Sequence, residues 1–138
     1  MIDRPIFSPM FHVEIVESEG VFLLSERGHF VLKGAVHCRL APLLDGTHTV
    51  DQIVARVAGD TSPAHVYYAL AQMEKKGYLV PADTVAHDHA AFWRSFGLDP
   101  FEATRRLRAG RVALLACGGA SAGALAGALA ALDVPLAD

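Results

Sequence analysis

Segment 36–81 has little freedom in how it folds, because each of its helices carries its own start or stop signal. Thr49 is placed to cap a helix in which Val50, Ile53, Val54 and Val57 recur at i, i+3, i+4 and i+7, one apolar stripe at helical period. Ser62-Pro63 supplies a cap followed by proline at the first helical position, where a missing N–H costs nothing. The helix so started turns Val66, Leu70 and Met73 toward a core and stops at Gly77. A preceding helix is expected over Val36–Leu44, with Leu40, Leu43 and Leu44 inward and Asp45-Gly46 as its end. Tyr78-Leu79-Val80 reads as a short strand stopped by Pro81.

Upstream, Phe11, Val13 and Ile15 alternate with His12 and Glu14, the period-2 signature of a half-buried strand. Ser18-Glu19-Gly20 and Ser25-Glu26-Arg27-Gly28 are turn signals around the apolar run Val21–Leu24, and His29–Lys33 makes a third strand. The expectation is an α+β chain: a winged helix-turn-helix with an N-terminal three-stranded antiparallel sheet and three helices. The third helix opens Pro63-Ala64-His65-Val66-Tyr67-Tyr68. Reading DNA requires forked donors for base edges and cations for phosphates, and this end offers apolar and aromatic surface instead. Tyr67 and Tyr68 point about 100° apart, so at least one is exposed.

The 138 residues carry a net charge of −3 and a pI near 6.1, which gives no long-range attraction for nucleic acid or anionic lipid. With 52% apolar residues the chain can build a core. Cys38 and Cys117 alone make no disulfide framework, and the N-terminus has no apolar signal region, so a cytoplasmic setting is expected.

Residues 81–88 read as a linker, followed by amphipathic segments at Ala90–Phe96, which holds the one Trp (Trp93), and Pro100–Arg108. The uncharged stretch Val112–Leu132 reaches membrane-span length, with Gly119, Gly123 and Gly127 spaced by four. Its Ala/Gly richness and the Gly118-Gly119 interruption favour a strand over Val112–Cys117, a glycine turn and a helix. The expected partition is 1–85, a helical linker 86–110, and 111–138 as part of a larger domain cut off or completed by another chain.

Chemistry-bearing patterns are weak. His87-x-His89 and the adjacent His37-Cys38 do not match a zinc spacing, so no metal site is expected. A dinucleotide turn beginning at Gly118 would need glycine where Ala120 stands. Ser8, Ser25 and Ser121 have no triad-like context and the acidic residues form no pair, so no catalytic residue is assigned.

Taken in order, His29-Phe30-Val31-Leu32-Lys33-Gly34, Leu43-Leu44-Asp45-Gly46-Thr47-His48-Thr49-Val50 and Lys76-Gly77-Tyr78-Leu79-Val80 resemble the RiPP recognition element, the family of the PqqD peptide chaperone. Ser62–Leu70 together with Ala91-Phe92-Trp93-Arg94 resembles the ocin-ThiF-like leader-binding proteins, partners of YcaO cyclodehydratases in azoline (TOMM) biosynthesis. Residues 111–138 resemble the opening β-α unit of a ThiF/E1-like Rossmann domain with a degraded nucleotide turn.

The resemblance implies a non-enzymatic, cofactor-free module that binds a precursor leader peptide as an added strand. The implied site is Gly28, His29, Phe30, Val31, Leu32 and Lys33 on one side, with Val66, Tyr67, Leu70, Ala71 and Glu74 on the other. Implied partners are the leader, a YcaO cyclodehydratase and a second copy of the chain, with neither nucleic acid nor membrane. A winged-helix transcriptional regulator is the alternative, marked by salt-sensitive DNA binding. Each added strand bond stabilises by roughly 0.5–1.5 kcal/mol, while ordering each peptide residue costs about 1–2 kcal/mol. Two or three buried apolar side chains, at about 1.5–3 kcal/mol each, must then supply the affinity.

Overall fold

The computed structural model describes residues 2–87, 89–116, 118, 121–132 and 134–137. The chain divides into two compact units, Met1–Gly97 and Leu98–Asp138.

In the first unit the elements run β1 (Pro5–Phe7), β2 (His12–Val16), β3 (Gly20–Ser25), β4 (Gly28–Leu32), α1 (Ala35–Leu40), α2 (Val50–Val57), α3 (Pro63–Lys75), β5 (Leu79–Pro81) and α4 (Ala90–Ser95). β2, β3 and β4 form the expected antiparallel meander, in that order across the sheet. Its inward face carries Val21 and Leu23, both at 0% exposure, over a core shared with Leu40, Ile53, Val66, Leu70 and Met73.

The helices obey their caps. Thr49 accepts a hydrogen bond from Gln52 N, and the Gln52 side chain accepts one from Thr49 N, closing a capping box. Ser62 Oγ accepts from His65 N ahead of Pro63. α3 ends at Gly77 (φ 72°), with Tyr78 N donating to Met73 O and Gly77 N to Glu74 O, the paired bonds of a Schellman stop.

Two features differ from expectation. α1 ends at Leu40, and Ala41–Leu43 is a single 3-10 turn. Pro42 explains this: it has no N–H to donate and its ring crowds the carbonyl four residues back. The wing also has a strand that sequence periodicity missed, since β1 pairs antiparallel with β5, Ile6 opposite Val80. Three residues are too few to show a period, and the prolines at Pro5 and Pro81 sit at the ends of the ladder, where they do least damage.

Gly46 joins the helices to this wing. Its φ is 78°, and a Cβ there would stand 2.8 Å from Ala82 Cβ. Gly46→Ala is expected to destabilise the domain by about 1–3 kcal/mol, from left-handed backbone strain plus crowding, read as a lowered urea midpoint. Beside it, Asp45 Oδ1 accepts from Thr47 N (2.8 Å) and Thr47 Oγ1 (2.7 Å). These bonds and the adjacent His48 ring hold its carboxyl well below the usual carboxylate range.

The second unit holds α5 (Pro100–Ala109) and α6 (Gly123–Ala131). Among the described residues of the strand expected at Val112–Cys117 there is one parallel bridge, Val112 to Leu136, on either side of α6 in sequence. Cys117, Gly119 and Ala120 of the glycine turn lie outside the described residues. Among the described residues no helix is long and apolar enough to cross a membrane.

α5 starts on an Asp99 cap, with Pro100 in its first turn. Hydrogen bonds from Arg105 and then Arg106 lower the Glu102 pKa from 4.5 to about 2. A lowered folded-state pKa means the stabilisation is complete above about pH 4.5 and is lost as pH falls toward 2. Circular dichroism should show helix lost over that window in the native chain and a smaller loss in Glu102→Gln.

Candidate peptide-binding groove

β4 is an edge strand, so half of its main-chain groups have no partner in the sheet. Which half follows from the hairpin. Ser25 pairs with Gly28 across a two-residue connection, a hydrogen-bonded closing pair. Alternation along the ladder makes Leu23–Phe30 and Val21–Leu32 hydrogen-bonded too. The N–H and C=O of His29 and Val31, opposite Leu24 and Phe22, therefore point outward. At the far end the Lys33 carbonyl bonds the His37 ring, Nδ1 to O 2.8 Å, which closes the edge there.

Alongside this edge runs a groove of about 460 Å³ between β4 and α3. Its β4 wall is Val31, Leu32 and Lys33; its helical wall is His65, Tyr68, Ala69, Gln72 and Lys76. His65, Tyr68, Ala69 and Gln72 recur at i, i+3, i+4 and i+7, one face of α3, and Lys76 stands at its C-cap. Tyr68 stands 65% exposed on it, a large aromatic surface without cover.

The expected β4 residues all lie on the edge strand or its end, and Val31 (43% exposed) and Phe30 (40%) are open. The expected α3 residues are out of phase with the groove. Val66 and Leu70 are core, at 0% and 2% exposure, and cannot meet a peptide while the domain is folded. Tyr67 donates its hydroxyl to Asp51 Oδ1 (3.1 Å), toward α2; that carboxylate pushes the phenol pKa up. Ala71 is exposed but does not line the groove. Glu74 Oε2 accepts from Ile2 N at 3.4 Å and lines a neighbouring cavity instead. The groove lies on the opposite flank of the core stripe from Tyr67 and Ala71, because helical period alone does not say which flank meets the sheet edge.

Charge on the groove is one-sided. Lys33 and Lys76 line it with His37 and His65, and among the described residues no acidic side chain does. Among the described residues no group of three His, Cys, Asp or Glu could hold a metal ion.

The heterocyclase TruD superimposes with a TM-score of 0.75 at 31% identity, over 99% of this chain and 20% of that one. A heterocyclase in complex with substrate and cofactor gives 0.73 at 34% identity, over 96% and 18%. The microcin C7 biosynthetic enzyme MccB in complex with N-formylated MccA gives 0.64 at 13% identity, over 97% and 41%, a likeness of fold alone. The chain thus spans about a fifth of the length of the heterocyclases. No curated protein matches it. Residues 6–81 match the model of a winged helix-turn-helix domain, and the chain belongs to that family.

Proposed function

We propose that the chain is a peptide-recognition module of the RiPP recognition element type, which binds the leader of a ribosomally made precursor as an added strand on β4. The observation that carries this reading is the open His29 and Val31 edge lying directly beside an aromatic groove. Edge addition supplies main-chain bonds that fix register, and the groove supplies side-chain pockets that select sequence. By the energies above, pairing alone roughly breaks even, so Tyr68, Ala69 and Val31 must bury apolar leader side chains.

The module has no catalytic task in this reading. It holds the leader so that the core peptide meets a separate active site, a YcaO cyclodehydratase forming azolines, at raised local concentration. Residues 111–138, with a parallel bridge from Val112 to Leu136, act as a ThiF-like unit that contacts this enzyme or a second copy of the chain. The likeness to heterocyclases, one of them holding its substrate, supports the assignment to such a system.

Anisotropy titration tests it. A fluorescein-labelled leader from the precursor encoded beside this gene should bind saturably, and labelled duplex DNA should not bind. A leader that fails to saturate, or DNA that competes with it, would overturn the proposal.

A further inference from the structure

The groove does not end where α3 ends. Lys76 and Tyr78 line it and also line a second cavity, of about 700 Å³, reached from Val31 by moving one residue back along β4 to Phe30. One side of this second compartment is aromatic. Phe11 meets both Phe30 and Tyr78 edge to face, and Phe30 and Tyr78 lie tilted against each other, with ring centroids 5.1 to 6.0 Å apart. The other side comes from the end of α4, where Phe96 is 53% exposed and lies under the Arg27 guanidinium at 4.7 Å.

Among the described residues three cations, Arg27, Lys76 and Arg94, line the cavity together with one carboxylate, Glu74, which accepts a main-chain bond from Ile2. A positively lined aromatic slot on a chain of net charge −3 is matched to an acidic ligand rather than to the protein's general surface. Ser8 also lines it, 1% exposed, its Oγ without a hydrogen-bond partner among the described residues. A polar atom of a bound chain, or a water it traps, would satisfy that hydroxyl.

From this geometry we infer that the slot is a second recognition subsite for the same peptide, taking a large apolar or aromatic side chain with an Asp or Glu beside it. The inference rests on strand addition at β4. A strand laid along that edge turns every second side chain to one face, so the residue entering the slot lies two or four positions from the one held against Tyr68. Arg27 then selects the neighbouring carboxylate. Phe96 gives α4 a part in specificity that neither its length nor its sequence marks.

The test uses the full chain and a random 12-residue mRNA-display library, selected in parallel against the native protein, Arg27→Glu, Phe96→Ala and Val31→Pro. Native protein should enrich peptides with two apolar anchors at that spacing, the second flanked by Asp or Glu. Arg27→Glu should reverse the flanking preference to Lys or Arg, and Phe96→Ala should lose the second anchor while keeping the first. Identical sequences from native, Arg27→Glu and Phe96→Ala proteins would overturn the slot and leave edge binding intact. Native protein that enriches nothing, or enriches the same peptides as a folded Val31→Pro, would overturn strand addition and the slot with it.

Discussion

Val31→Pro is expected to abolish leader binding while leaving the domain folded. The Val31 N–H points away from β3, because its pairing with Phe22 falls on a non-hydrogen-bonded rung of the ladder. Proline there breaks no bond of the native sheet, and edge strands tolerate it where the N–H faces outward. It does remove the outward N–H at the centre of the free edge, and its ring stands where an incoming strand would lie. Losing one bond and the close approach of the neighbours should take affinity below detection, at least a hundredfold, or about 2.7 kcal/mol. Circular dichroism and a urea melt establish that the variant folds. Normal anisotropy binding by a folded variant would exclude pairing along β4.

The second large effect separates the core stripe of α3 from its groove stripe. Leu70, 2% exposed, packs among Val66, Ile53 and Met73. Leu70→Ala removes three carbons and leaves a cavity, so it should destabilise the domain by about 2–5 kcal/mol. Against a typical stability of about 5–15 kcal/mol that is a large fraction. Tyr68, two residues away and 65% exposed, should behave in the opposite manner. Tyr68→Ala should leave the stability read from a urea melt within about 0.5 kcal/mol of native and weaken leader binding by roughly tenfold to a hundredfold, as truncating an aromatic anchor does. Equal stability losses from both substitutions would mean that Tyr68 is structural and that the groove lies elsewhere.

How far the sequence revealed this arrangement follows from the range of each signal. Caps and stops are local, so Thr49, Ser62-Pro63 and Gly77 placed the helices directly, and the turn at Ser25–Gly28 placed the β4 edge. Pro42 could have shortened α1 in advance, because its steric rule is equally local. β1 was invisible, since a three-residue strand is specified by its distant partner β5 rather than by its own pattern. The groove face of α3 was misplaced for a related reason. The apolar stripe identifies the core side, Val66, Leu70 and Met73, but the sheet decides which adjacent flank faces β4, and that flank proved to be His65, Tyr68 and Gln72. The aromatic slot depends on α4 returning to Arg27 and Phe30, a tertiary contact with no periodic trace.

Amide hydrogen exchange on β4, measured by NMR with and without saturating leader peptide, bears most directly on strand addition. The His29 and Val31 amides should exchange fast in the free chain and slow strongly on binding, while Phe30 and Leu32, already bonded to β3, change little. Saturable binding that leaves His29 and Val31 exchanging at their free rates would contradict a peptide paired to this edge.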